Sequence, residues 1–322
     1  MAGALRTLAS SCCNGRMSLR VSVQASPRDR TSWLRLARTV EDAGFHALYA
    51  ADHPGSSSSP FVALAAAAAV TERIELGTCV VNAGVWEPIA LANAVATLDV
   101  VSDGRAILGV GAGHTPQEWT SSGRSFPSAG ERVGRMIELV EATSSLLAGG
   151  PISYNGRYLT LLDAVLEDPR PVRDPIPVLV GGNGDRVLRF ASRNADIVGI
   201  TGALRTLADG HRHEVDWSQR AIRQTIALLT SAVGGARQHR EIEALVQAVV
   251  VTDDRAAEAR RLTEHIPGAS VDDLLQTPFV WIGTVDEIAS ELQHRRDDLG
   301  ISRYVIRPPA IANARRIIDT MS

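Results

Sequence analysis

The chain has little of several things whose absence narrows what it can be. It holds three cysteines, Cys12, Cys13 and Cys79; none stands at metal-ligand spacing, and an odd number makes no disulfide framework. A reducing cytoplasm is the expected setting. Net charge is scarce as well: 33 basic against 36 acidic residues leave −3, no electrostatic footprint for nucleic acid or an anionic membrane. Long apolar runs are missing. The longest, Phe61 to Val70, is mostly alanine and far shorter than the ~20 residues of a membrane span. The first strand-to-helix turn, Ser26-Pro27-Arg28, lacks the Gly-rich dinucleotide fingerprint that a doubly wound sheet would carry there.

What is present is a regular alternation of strand and helix. The 322 residues, 45% hydrophobic, suit two ordinary domains or one α/β barrel. Met1 to Arg16 lacks the apolar centre of an export signal and reads as a disordered leader, or as a start assigned too early, with Met17 opening the folded protein. Strands are predicted at Leu19–Ala25, Phe45–Ala51, Ile74–Asn82, from Arg105, and at Pro177–Gly182, Asp196–Ile200, Leu245–Thr252 and Arg303–Arg307. Helices fall between them. Thr31 is read as the cap of the first, whose apolar face is Trp33, Leu36, Ala37 and Val40. Pro60 and Pro88 open two more. Ser128-Ala-Gly-Glu131 and Thr284-Val-Asp-Glu287 are capping boxes. Gly149 to Arg173 is an excursion with a hairpin around Asn155-Gly156. Eight such units without a linker predict one (β/α)8 barrel over residues 17–322.

One stretch stands out, Arg105 to Trp119. It starts as an apolar strand, loses its side chains at Gly109, Gly111 and Gly113, and then delivers His114, Gln117, Glu118 and Trp119. Alternate glycines bare one face of a strand. A flat or bulky group is expected to approach the main chain there, although close packing of the strand would also use them.

The order of these features resembles the bacterial luciferase-like monooxygenase superfamily, and within it the branch that uses the deazaflavin coenzyme F420. The resemblance rests on Asp52-His53 after the second strand, the run Thr71 to Val81, the helix from Pro88 through Leu98, and Ser102-Asp-Gly104-Arg105 leading into Leu108 to Gly113. Pro177 to Gly182 and Gly283 to Ile288 extend it. It implies a (β/α)8 barrel with excursions, a ring lying over the carboxyl ends of the strands, and a non-proline cis peptide in a bulge at Cys79-Val80. It also implies a homodimer and a small organic substrate that gives or takes a hydride.

The site residues follow from the same resemblance. His53 would stand near the ring and substrate and assist proton movement, the alternative being that Asp52 and His53 merely pair. Asp52, Cys79, Val80, Gly111, Ala112, Gly113 and Gln117 would line the coenzyme. His114 occupies the position at which the sugar-phosphate dehydrogenases of this branch place an acidic glutamate, so their substrate is not carried over. Proton donation by His114 and simple binding of substrate or solvent both stay open. Gly181-Gly182-Asn183-Gly184, with Asp185 opening the next helix, would hold the coenzyme's phosphate-bearing tail. Trp119 is read as packing, and Trp86 has no assigned role. His211 and His213 lack a third metal ligand, so no metal site is expected and a solvated loop is preferred; with Arg205 and Arg212 that loop would alternatively meet the coenzyme's polyglutamate tail. Two other functions remain in view: an FMN-dependent monooxygenase served by a partner reductase, and a non-catalytic flavin or deazaflavin binder.

Overall fold

The computed structural model describes residues 18–206, 213–231, 240–266 and 268–321. The expected leader with Cys12 and Cys13, and His211 with Arg212, lie outside the described residues, as do the side chains of Arg205 and His213. The core of the molecule is a closed parallel barrel of eight strands. These are β1 (Arg20–Ala25), β2 (Ala47–Ala50), β3 (Glu75–Thr78, resumed at Val81–Asn82) and β4 (Ala106–Gly111). The circuit continues with β5 (Val178–Gly181), β6 (Ile197–Ile200), β7 (Glu241–Leu245) and β8 (Ile301–Ile306). Each strand pairs with its neighbours in chain order, and β8 closes on β1 through Arg20 opposite Arg303.

Alternation along the strands makes two cores. Ala47, Tyr49, Ile107, Leu179, Ile197 and Val305 fill the barrel interior, with Cys79, Val80 and Leu245 packed against them. The outward residues meet the apolar stripes of the helices. The first helix, Arg30–Asp42, buries Trp33, Ala37 and Val40 in this way. Its cap is Asp29 rather than Thr31, because the Asp29 carboxylate accepts the Ser32 amide at 2.9 Å. Both capping boxes form as expected, at Ser128–Glu131 and Thr284–Glu287.

The seventh strand departs from its predicted place. Ala248–Val251 is a strand, but it pairs in parallel with Val280–Gly283 outside the barrel. Glu241–Leu245 takes the barrel position instead. Its Glu243 is buried and receives the Arg303 Nε at 3.1 Å, so a strand carrying two carboxylates is an interior strand once an arginine stands opposite. The excursion contains the expected hairpin: Ile152–Asn155 runs antiparallel to Thr160–Ala164, with Asn155 opposite Thr160. Glu138, on the helix Ala129–Ala148, accepts the amides of Arg157, Tyr158 and Leu159 at 2.8, 2.8 and 2.9 Å and pins the turn.

Candidate active site at the carboxyl ends of the strands

Chemistry in such barrels sits where the strands end, and here β2, β3 and β4 deliver their polar residues to one place. After β2 the chain folds back at once. The His53 carbonyl accepts the amides of Ser56 and Ser57 at 2.9 and 2.8 Å, and the His53 amide donates to Ser57 Oγ at 2.8 Å. Short hydroxyl side chains close this turn by bonding the backbone. The imidazole is thereby aimed across the mouth, where its Nδ1 stands 2.7 Å from Glu118 Oε1. Glu118 rides on a single helical turn, Gln117–Thr120, and is 5% exposed.

Asn82, the last residue of β3, ties this pair to its surroundings. Its Nδ2 donates a short bond to the other Glu118 oxygen, and its Oδ1 accepts the Gly84 amide at 2.8 Å. Its backbone amide donates to Asp52 Oδ2 at 3.2 Å, which also accepts Trp86 Nε1 at 2.8 Å. His114 closes the group from the β4 side, its ring 5.6 Å from that of His53 and nearly perpendicular to it. The bond to Glu118 raises the His53 pKa above its ordinary value, outweighing the opposite effect of burial. Burial raises the Asp52 carboxyl, with the Trp86 and Asn82 bonds working against it.

Asp52 and His53 therefore do not pair as a simple loop cap. Each has its own partner, and Glu118 and Asn82 are functional candidates that the sequence left unassigned. Nothing local distinguishes Glu118 from a solvent-facing glutamate early in a helix. Its partner lies 65 residues away, a distance closed only by the barrel.

The glycines of β4 are closely packed. The face they bare is not left open for a ligand along its length, because the segment 78–82 fills it. A Cβ on Gly109 would fall on the Thr78 carbonyl oxygen, one on Gly111 would press against Val80, and one on Gly113 would overlap the Asn82 amide. Gly113 is also at φ +73°, where side chains are strained. The Cys79-Val80 peptide is cis, where the resemblance placed it. Its Cys79 carbonyl accepts Gln24 Nε2 from β1. Val80 then lies between two glycines, since a Cβ on Gly181 would come within 3.1 Å of it. The floor of the mouth is low and apolar at this point.

Other predicted residues are placed as follows. Ala112 is half-buried against the core, and Gln117 is exposed on its short helix. Cys79 is a free thiol whose pKa burial pushes up, which makes it inert as a nucleophile. Gly181 and Gly182 lead through Asn183 and Gly184 into the helix Asp185–Asn194, which has no side-chain cap bond. The Asn183 side chain is occupied in bracing this turn: its Oδ1 accepts the Thr201 and Gly202 amides at 2.9 and 3.0 Å. Trp119 is buried and packs on Gly84 and Phe126, as read.

Three arginines clamp the site loops from behind. Arg124 donates to the Gly84 carbonyl at 2.7 Å, Arg132 to that of Gly113 at 2.8 Å, and Arg135 to those of Ala83 and Trp86 at 3.0 and 2.8 Å. Among the described residues no cluster of His, Cys, Asp or Glu could hold a metal ion, and no helix is long and apolar enough to cross a membrane. A cavity of about 550 Å³ lies elsewhere, lined by Arg20, Val21, Phe45, His46, Arg73 and Ile74 at the amino ends of the strands. Its volume does not make it the reactive site, since that end of a barrel carries stability.

Comparison with known proteins agrees with this geometry. A family model described as luciferase-like monooxygenase matches residues 16–298. An F420-dependent glucose-6-phosphate dehydrogenase of Amycolatopsis mediterranei is 32% identical over 181 residues, 54% of this chain and 53% of that protein. A 5,10-methylenetetrahydromethanopterin reductase of Methanopyrus kandleri is 31% identical over 186 residues, 54% of this chain and 53% of that protein. The alignment thus spans about half the length of the curated relatives it matches. Among solved structures, an F420-dependent secondary alcohol dehydrogenase in complex with an F420-acetone adduct superposes with a TM-score of 0.74 at 20% identity. That match covers 95% of this chain and 100% of the other. A long-chain alkane monooxygenase superposes at 0.75 with 16% identity, over 94% and 91% of the two chains. At such identities these two share the fold alone.

Proposed function

Because this chain belongs to the luciferase-like monooxygenase family, we propose that it is an oxidoreductase that transfers a hydride between coenzyme F420 and a small organic substrate. The observation that carries the reading is the His53 imidazole, held at the carboxyl end of the barrel by buried Glu118. A hydride transfer to or from a carbon bearing oxygen or nitrogen needs an acid or base for the accompanying proton. His53 has the right chemistry and position for it.

The residues present fit the coenzyme. Val80 between Gly111 and Gly181 offers a low apolar floor for a flat ring. The uncapped start of the helix Asp185–Asn194 has amides for a phosphate, and open space surrounds the missing side chain of Gly184. When bound, the coenzyme supplies the two-electron chemistry, and the barrel orients it and excludes water. The names of the curated relatives support F420 over FMN. Their sugar-phosphate substrate is not transferred, since His114 replaces the glutamate expected there.

We also propose that the protein works in the cytoplasm as a homodimer. Val62, Ile89, Val100 and Val101 are exposed apolar side chains on the helices Pro60–Ala68 and Pro88–Val101, and a second copy packed on these helices would cover them. Light scattering after size exclusion tests this, and a monomer at micromolar concentration would refute it.

The cofactor assignment is tested by fluorescence quenching of the purified protein with oxidised F420 and, separately, FMN. Saturable quenching by F420 is expected. Saturable FMN binding with no response to the deazaflavin would overturn the assignment and favour a flavin monooxygenase fed by a reductase.

A further inference from the structure

We propose that Glu118 is a positioning residue for His53: held by Asn82, its carboxylate retains the Nδ1 proton, so that Nε2 is the nitrogen that exchanges a proton with the substrate. The inference rests on the proposed oxidoreductase reading for its chemistry, but its geometry is independent of the coenzyme.

Both Glu118 oxygens are engaged, one with His53 Nδ1 at 2.7 Å and one with Asn82 Nδ2. Asn82 is itself fixed twice, through the Gly84 amide and through Asp52. The Glu118 side chain is only 3% exposed, while that of His53 is 36% exposed. A carboxylate so buried is costly unless a positive charge accompanies it. Asn82 is neutral, so His53 is the partner that can supply the charge. The groups facing His53 are Glu118, Asp52 and the His114 ring.

The consequence for turnover is a division of labour within one ring. With a coenzyme bound to take the hydride from the carbon that bears the hydroxyl, Nε2 would accept the hydroxyl proton in the oxidative direction. The reductive direction returns both. Throughout, Nδ1 keeps its proton and donates it to the Glu118 carboxylate, which also favours the imidazolium formed when Nε2 is protonated.

Glu118→Gln removes the charge at constant size, but its single carbonyl oxygen can accept from His53 Nδ1 or from Asn82 Nδ2 and not from both, so Glu118→Asp, which keeps two acceptors and the charge, is the control for bracing. Histidine labelled with ¹⁵N and followed by NMR without coenzyme reads the result, with His53→Asn assigning the signal. In the unmodified protein the neutral ring should show the Nδ1–H tautomer. The His53 titration midpoint should fall by about one unit or more in Glu118→Gln, and Glu118→Asp should restore part of it. The acid limb of the pH–rate profile of the coenzyme-loaded enzyme should move by the same amount. An Nε2–H tautomer in the unmodified protein, or equal midpoints in the two forms, would overturn the proposal. Failure of F420 to bind would leave these signals unchanged and would sink only the cofactor reading.

Discussion

At the amino ends of the strands, Glu75, Glu241 and Glu243 are met by arginines. Arg303 donates to Glu243 and Glu241 at 3.1 and 2.9 Å and lies 3.6 Å from Glu75, and Tyr49 Oη accepts from Arg303 at 3.1 Å. Arg173 reaches Glu75 at 2.8 Å and Arg20 reaches Glu241 at 2.9 Å. At the carboxyl ends, Asp52 and Glu118 are buried as Glu243 is but are met by an indole, an amide and an imidazole. An arginine does not give up its proton; an imidazole does. One end therefore meets its carboxylates mainly with fixed charges, to which His46 adds an imidazole 2.9 Å from Glu75, and serves stability, while the other sets no fixed charge against Asp52 or Glu118 and leaves one proton in play.

The largest expected effect strikes the permanent end. Arg303→Met should lower the unfolding free energy by about 3–5 kcal/mol in denaturant titrations, because it leaves Glu243 buried without its cation. A loss below about 1 kcal/mol would mean the network is not worth what its geometry implies. At the opposite end, His53→Ala should cut turnover by about 10²–10⁴-fold with a smaller loss of stability than Arg303→Met, because the ring it removes is 36% exposed and its space admits water beside Glu118. A large melting shift with turnover preserved would reverse the contrast between the ends.

The response to pH sharpens it further, since the two ends carry opposite signs. Burial alone would raise the Glu75 carboxyl, but His46, Arg173 and Arg303 together hold it down to about 2. Its contribution is present above the ordinary value of about 4.3 and is lost as pH falls through the folded value, roughly 3 kcal/mol in all. The stability difference between the protein and Glu75→Gln should shrink over that acid window. His53 behaves oppositely because Glu118 raises its pKa. Its contribution is complete below about pH 6.5 and fades as pH rises through the folded value. Equal stability of the protein and His53→Gln across neutral to mildly alkaline pH would contradict this. Gly113→Ala should cost more than the about 1–2 kcal/mol of a left-handed backbone, because its methyl would overlap the buried Asn82 side chain. The new methyl would also displace Asn82 from Glu118, so the His53 titration midpoint followed by NMR should shift in that variant.

The barrel was legible because its elements are written locally. Capping boxes at Ser128 and Thr284, prolines at 60 and 88, and short apolar strands each bias a few residues without help from the rest. The seventh strand was not, because Glu241 and Glu243 look polar until Arg303 faces them across β8. The same reason hid the site's second half. His53 could be found from its place after a strand, whereas Glu118 acquires meaning only when β2 and the loop after β4 converge. Of the two readings the β4 glycines left open, close packing has neighbours to support it, Thr78, Val80 and Asn82 of the adjoining segment.

The most direct test of the central claim is a single-turnover experiment without oxygen. Protein loaded with reduced F420 is mixed with a panel of aldehydes, ketones and imines, and the return of the oxidised coenzyme's absorbance is followed. The account predicts reoxidation by at least one of them under strict anaerobiosis, and its loss in His53→Ala. Reoxidation that occurs only when oxygen is admitted and consumed would contradict it.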